Sequence, residues 1–126
     1  MEKLVKGAEK SSVSGTPKNV PFLMGDVVVM PFPFSDLSTA KKRPVLVLAG
    51  LKGDDYILCQ ITSQARKDEY SVSLVDKDFV KGKLSVASFI RPNRLFTADK
   101  TLIERKVGSL KKVKIKEVVD HLIKFF

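Results

Sequence analysis

Short apolar runs, separated by turn-forming residues, fill the chain from about Phe22 onward. Their length and alternation are typical of strands, and they predict six, at Asp26–Met30, Arg43–Ala49, Tyr56–Thr62, Ser71–Val75, Leu84–Ile90 and Leu102–Leu110. The second and third strands are predicted to form a hairpin across residues 50–55. The turn chemistry of Arg91-Pro92-Asn93 is predicted to end the fifth strand, and Gly108 to interrupt the last.

The period of the apolar positions changes after residue 111. Residues 115, 118, 119, 122, 123 and 126 are apolar and follow the i, i+3, i+4, i+7 spacing of an amphipathic helix. Lys111 and Lys112 stand where a helix start favours an acidic or capping residue, so the beginning of this helix is poorly marked. The whole pattern predicts a mainly β fold, a small barrel-like sheet with a C-terminal helix packed alongside.

Composition separates a tail from a folded domain. Residues 1–20 are rich in Lys, Ser, Gly and Glu and are predicted to be a flexible N-terminal tail, followed by one domain over residues 21–126. No apolar run reaches the roughly 18 residues that cross a bilayer, and the N-terminus has no signal-peptide pattern. We therefore expect a cytoplasmic protein without a membrane partner. Membrane binding by the basic C-terminal helix is disfavoured because its apolar positions are predicted to face the core.

Charge and the reactive side chains narrow the function. The net charge of +9 favours a polyanionic partner, which leaves nucleic acid, acidic protein and anionic lipid open. The one cysteine, Cys59, lies in an apolar strand and is predicted to be a buried hydrophobe. The one histidine, His121, is predicted to lie on the helix surface, so no histidine base and no clustered metal site is expected. Phosphate-binding glycine loops and dinucleotide fingerprints do not occur, and we expect no cofactor.

The remaining candidate chemistry is a cation at a strand entrance and hydroxyls at the exit of its neighbour. Arg43 follows Lys41 and Lys42 directly, and the hairpin partner strand ends in Thr62-Ser63-Gln64. A fixed guanidinium and a hydroxyl can stabilise the charge that develops on a phosphodiester without a metal ion. RNA supplies its own 2′-hydroxyl nucleophile, so such a pair is suited to RNA cleavage. Taken alone, the residues support only a basic β-rich domain.

Four segments, in this order and spacing, resemble the PemK/MazF family of toxin endoribonucleases. They are Gly25–Val29, Pro31–Leu37 with Lys42–Leu48, Ile61–Gln64 and Ser88–Thr97. The resemblance extends from about Phe22 to Phe126. It implies an SH3-like β-barrel of the CcdB/MazF/PemK type, a homodimer, an acidic antitoxin partner, and metal-independent cleavage of single-stranded RNA to a 2′,3′-cyclic phosphate and a 5′-hydroxyl.

The resemblance also implies roles for individual residues. Arg43 resembles the catalytic arginine, Thr62 its hydroxyl partner at the scissile phosphate, and Arg91 an arginine that contacts the RNA backbone. Further RNA-binding residues are expected around them, namely Lys41, Lys42, Ser63, Gln64, Arg66, Ser88 and Arg94.

The chain departs from the family pattern in two places. Some branches carry an Arg and an Asp or Glu on the strand before the last motif, where this chain has Val86 and Ser88. The loop before Arg43 also lacks the Ser-Glu-Gln-Gly pattern of the best-known members, so the cleavage sequence does not transfer. The missing carboxylate keeps an alternative open, a non-catalytic barrel that binds nucleic acid or protein, or a gyrase-directed toxin of the CcdB type.

Overall fold

The computed structural model describes residues 21–32, 41–64 and 69–126. They form seven strands, β1 (Asp26–Pro31), β2 (Lys42–Gly50), β3 (Asp55–Thr62), β4 (Val72–Leu74), β5 (Phe79–Gly82), β6 (Ser88–Asp99) and β7 (Arg105–Leu110). One helix, α1 (Lys112–Lys124), follows β7, and two short 3-10 turns cover Asp76–Asp78 and Lys100–Leu102. The predicted N-terminal tail and Arg66 lie outside the described residues.

All strand pairs are antiparallel and belong to one sheet with the order β4-β6-β3-β2-β1-β7-β5. The sheet curls into a half-barrel and α1 packs against it, which confirms the predicted fold class. The predicted β2–β3 hairpin is also present. None of the described helices is long and apolar enough to cross a membrane.

The sheet buries side chains on both of its faces. Alternate residues of the central strands pack on the face covered by α1, in a cluster that includes Val118 of that helix and is called the inner cluster. The residues between them pack on the other face, in a second cluster called the outer cluster. In β2, Leu46 and Leu48 belong to the inner cluster, whereas Val45 and Val47 belong to the outer one. Double-sided burial explains why β2 and β3 are nearly continuous apolar runs instead of alternating ones.

The strand predictions are wrong in several places. The fifth predicted strand begins at Ser88 instead of Leu84, and the last begins at Arg105 instead of Leu102. β6 does not end at Arg91-Pro92-Asn93 but continues to Asp99, because the turn residues form a bulge: Arg91 pairs with Gln60 and Leu95 with the adjacent Cys59. The bulge removes Pro92, which has no N–H, from the ladder. β5 was missed because Phe79 is its one buried residue, and a four-residue exposed strand carries no periodic signal.

Gly108 does not interrupt β7, because the sheet requires a glycine there. It pairs with both Val27 of β1 and Gly82 of β5, and a Cβ on Gly108 would lie 2.7 Å from the Lys81 carbonyl oxygen. Gly82 has a φ of +74°, and a Cβ there would collide with the Val107 carbonyl oxygen. The two glycines therefore let β5 and β7 approach closely.

The start of α1 is fixed by contacts with distant residues. No side chain caps it, and the Lys111 N–H instead donates to the Asp78 carbonyl oxygen at 2.8 Å. One turn later, the buried ammonium of Lys114 lies 3.6 Å from the Asp78 carboxylate and 2.8 Å from that of Glu117, and donates to the Ser73 carbonyl oxygen at 3.0 Å. These partners offset the cost of burying its charge.

Candidate active site

The register of the β2–β3 hairpin, which is paired as far as Val45 and Gln60, directs Arg43 and Thr62 to the same face. Val45 pairs with Gln60, and continuing this register by two residues places Arg43 opposite Thr62. Directly opposed residues on antiparallel strands point to the same face, with Cβ atoms roughly 5 Å apart. Both side chains are half-buried, at the edge of the outer cluster where the apolar residues end.

Aromatic rings support the Arg43 guanidinium. Its Cζ lies 6.0 Å from the centroid of the Phe32 ring, within the range of a cation–π contact. Phe32 in turn meets Phe96 edge-on, with ring centroids 5.7 Å apart. Phe32 is buried in the outer cluster, so the core itself holds one side of the cation in place.

The exit of β3 presents polar groups to solvent. Thr62 is its last residue, and its Oγ1 accepts a hydrogen bond from the backbone N–H of Gln64 at 3.2 Å. This bond leaves the hydroxyl hydrogen free to donate in another direction. Ser63 and Gln64 are exposed beside it.

The next pair inward consists of Gln60 and Arg91. They lie on the same face as Arg43 and Thr62, two residues along each strand. The Arg91 residue is 6% exposed, and its carbonyl oxygen accepts a hydrogen bond from the Cys59 thiol at 3.0 Å. Burial raises the pKa of Cys59 to about 12, so the thiol keeps its hydrogen at physiological pH.

Two residues of this face, Gln60 and Phe89, are not among those that the sequence predicts for the site. Phe89 pairs with Thr62, so a row of side chains runs across β2, β3 and β6 as Arg43, Thr62 and Phe89. The two-residue repeat of a strand could have indicated Gln60, because residues 60 and 62 point to the same face. Gln60 is also the one polar residue inside an apolar run.

The other predicted residues do not all share this face. Lys42 alternates to the opposite side from Arg43, and its ammonium lies 2.9 Å from the Glu104 carboxylate. Ser88 also alternates away, is 3% exposed, and donates its hydroxyl to the Val86 carbonyl oxygen at 3.0 Å. Lys41 is exposed next to β2, and Arg94 is exposed in the β6 bulge.

The row of Arg43, Thr62 and Phe89 contains no carboxylate or imidazole. His121 lies on α1, where its Nδ1 is 3.0 Å from the Glu117 carbonyl oxygen, as predicted for a helix residue. Within residues 21–32, 41–64 and 69–126, no group of three His, Cys, Asp or Glu side chains could hold a metal ion. The chemistry that the described site can supply is therefore a fixed positive charge and a hydroxyl donor, both suited to a phosphate.

Several solved structures share the fold. The Mycobacterium tuberculosis toxin MazF-mt6 aligns with a TM-score of 0.63 and 17% identity, over 79% of this chain and 93% of that one. An endoribonuclease in complex with its cognate antitoxin from a mycobacterial species aligns with a TM-score of 0.65 and 15% identity, over 82% and 93% of the two chains.

A MazE–MazF structure from Deinococcus radiodurans aligns with a TM-score of 0.62 and 22% identity, over 81% of this chain and 92% of that one. No curated protein matches the chain in sequence. A family model described as the PemK-like, MazF-like toxin of type II toxin-antitoxin systems matches residues 24–126, which include all of β1 to β7 and α1. The chain therefore belongs to the PemK-like, MazF-like family of type II toxin-antitoxin toxins.

Proposed function

We propose that this chain is a metal-independent endoribonuclease that cuts single-stranded RNA at selected sequences, and that it acts as a toxin by cleaving mRNA and so inhibiting translation and growth. The observation that carries this proposal is the β2–β3 register, whose Val45–Gln60 pair, continued by two residues, directs Arg43 and Thr62 to one face of the hairpin. The guanidinium fork matches two phosphate oxygens, and the hydroxyl can donate to the same group.

The reaction uses the 2′-hydroxyl of the substrate. Its oxygen bonds to phosphorus as the bond from phosphorus to the 5′-oxygen breaks, leaving a 2′,3′-cyclic phosphate and a 5′-hydroxyl. The 2′-hydroxyl proton passes to water, and the departing 5′-oxygen takes a proton from water. Negative charge grows on the non-bridging oxygens during this displacement, and Arg43 and Thr62 stabilise it there.

The direct test is incubation of the purified chain with a randomised single-stranded RNA pool in EDTA, followed by sequencing of the ends. We expect fragments with cyclic phosphate and 5′-hydroxyl ends at a limited set of sequences. RNA with a 2′-deoxyribose at the cleaved linkage should resist, because the nucleophile is missing. An uncut pool would refute the proposal, and growth arrest that persists without RNA cleavage would favour the non-catalytic or gyrase-directed alternative.

Arg43 has a matched control in its neighbour. Arg43→Ala is expected to lower kcat by roughly 10²- to 10³-fold, the usual cost of removing one donor to a developing oxyanion. Lys42→Ala removes a cation from the adjacent position, but on the opposite face and engaged with Glu104, and should leave kcat nearly unchanged. Equal losses in the two variants would indicate a general charge effect and would contradict the role of Arg43.

Thr62 can be tested by shape-matched substitutions. Thr62→Val keeps the volume but removes the hydroxyl, whereas Thr62→Ser keeps the hydroxyl. We expect the serine variant to retain most activity and the valine variant to lose it, since the proposed function of Thr62 depends on its O–H. Full activity in Thr62→Val would refute this assignment.

We also propose an acidic antitoxin and a homodimer as the physiological assembly. The net charge of +9 is complementary to an acidic inhibitor, and the aligned mycobacterial endoribonuclease is bound to its cognate antitoxin. Static light scattering of the isolated chain should give twice the monomer mass. Addition of the antitoxin should abolish RNA cleavage.

A further inference from the structure

We infer that Phe89 is the stacking platform for an unpaired nucleobase next to the scissile phosphate, an inference that rests on the proposed function. The side chain lies on β6 between two hydroxyl-bearing neighbours, because Phe89 pairs with Thr62 of β3 on one side and Ser73 of β4 on the other. A phenyl ring thus interrupts a row of polar groups at the proposed active site.

Phe89 faces away from the inner cluster. Its sequence neighbours Ser88 and Ile90 are 3% and 0% exposed, and Ile90 belongs to the inner cluster. Strand alternation therefore directs Phe89 to the face of Arg43 and Thr62. Phe89 is half-buried, and among the described residues neither core cluster includes it. A partly accessible ring on a rigid strand can offer a flat surface without first being ordered.

The spacing fits a nucleotide. Neighbouring strands lie about 4.8 Å apart, so the Phe89 position is one strand beyond Thr62 and two beyond Arg43. A base lies one ribose away from its phosphate, and a phosphate held between Arg43 and Thr62 can therefore place an adjacent base over the third strand. Single-stranded RNA is commonly bound in this way, with splayed bases stacked on aromatic side chains.

The test compares affinities for nucleic acid with and without bases. The probes are a fluorescently labelled, mixed-sequence RNA octamer with 2′-O-methyl riboses and an octamer of abasic units carrying the same phosphates. Phe89→Ala should weaken binding of the first by roughly 5- to 150-fold, the range for losing one stacked base. Binding of the abasic octamer should not change, because only phosphate contacts remain in it.

Three variants separate stacking from packing. Phe89→Trp should retain the affinity of the wild type, and Phe89→Leu should not, because leucine keeps apolar bulk without an aromatic face. Phe125→Ala is the matched control: it removes the same side chain from the end of α1, where Phe125 packs against Tyr70, and should leave affinity unchanged. Equal losses on both octamers, or full affinity in Phe89→Leu, would overturn the inference.

The result is distinguishable from failure of the proposed function, because the probes cannot be cleaved and the measurement needs no catalysis. On cleavable RNA, Phe89→Ala should raise KM with little change in kcat, since stacking binds ground state and transition state alike. Thr62→Val should lower kcat instead. If the wild type binds RNA through its bases but cuts none, the role of Phe89 is supported and the proposed cleavage is refuted. If the wild type cuts RNA and Phe89→Ala leaves KM unchanged, cleavage is supported and the role of Phe89 is refuted.

Discussion

The Cys59 thiol is expected to make the stability of the protein depend on pH in the alkaline range. Cys59 is fully buried in β3, and burial raises its pKa from 9.0 to about 12. An unfolded chain loses the thiol proton above pH 9, whereas the folded chain keeps it until about pH 12. The contribution of the thiol is therefore complete below pH 9 and is lost as the pH rises through this window.

The magnitude follows from the separation of the two pKa values. Each pH unit between them lowers the free energy of unfolding by about 1.4 kcal/mol. Raising the pH from about 8 to about 10.5 should therefore cost roughly 2 kcal/mol, and the complete transition about 4 kcal/mol.

Urea unfolding of the wild type and of Cys59→Val, at both pH values, isolates this effect. The two proteins differ only at position 59, so every other effect of pH cancels in the comparison, and valine fills most of the volume without an ionisable group. The difference in stability between the two proteins should shift by about 2 kcal/mol in favour of Cys59→Val at the higher pH. A constant difference would refute the buried, hydrogen-bonded thiol.

Alkylation provides an independent check on the same group. At pH 8 a thiol with a pKa of about 12 is ionised to roughly one part in 10⁴, against about one part in ten for a pKa of 9.0. Because Cys59 is the one cysteine of the chain, mass spectrometry reports its modification without ambiguity. Native protein should react with iodoacetamide only at the rate at which it unfolds, and rapid native modification would contradict the structure.

Three further experiments test the contacts that hold α1, β5 and the turn after β6. Lys114→Met should lower the free energy of unfolding by about 3 kcal/mol, because it leaves the buried Asp78 carboxylate without its cation; Asp78→Asn in the same chain should restore part of the loss in a double-mutant cycle by urea unfolding. Gly82→Ala should destabilise by about 2 kcal/mol or more in the same assay, whereas Gly53→Ala, at a φ of +81° with open space around it, should cost only about 1 kcal/mol. The Thr101 N–H donates to the Asp99 carboxylate and lowers its pKa, so this carboxylate contributes stability that is lost as the pH falls below about 4. Asp99→Ala removes that contribution, and its stability, followed by circular dichroism, should therefore fall less on acidification than that of the wild type.

The spacing of apolar residues predicted most strands and the helix correctly. Predictions from the sequence were wrong where contacts between distant residues determine where an element begins or ends. The 3.6-residue period identified α1, but its start at Lys112 depends on the Asp78 carbonyl oxygen and on the partners of Lys114. Likewise, Pro92 signals a turn in isolation, yet the ladder resumes at Leu95 because the strand that follows pairs with β3. Neither the start of α1 nor the continuation of β6 can be predicted from the residues next to it in the sequence.

The candidate site shows the same limit more sharply. Counting outward from the hairpin turn, Gly50 pairs with Tyr56 and Ala49 with Ile57, and this register would place Arg43 opposite Ser63. The register shifts by one residue between Val47 and Ala49, after which Val47 pairs with Leu58. Thr62 therefore faces Arg43 because of an irregularity that no turn rule predicts. The residue pattern indicated Arg43 and the Thr62-Ser63-Gln64 exit, and the resemblance to known toxins selected Thr62 over Ser63. The hairpin turn alone would have selected Ser63.

That irregularity makes the geometry of the candidate site depend on core residues outside it. Leu48, at the shift in β2, is buried in the inner cluster. A substitution that straightened the strand there would slip the register by one residue and turn Thr62 and Gln60 away from the face of Arg43, although no residue of the site would be replaced. Bacteria that escape a toxin do so through whichever mutations silence it. Escape mutants of this chain should therefore map to the core around Leu48 as well as to the site, and the fold itself becomes a target of selection.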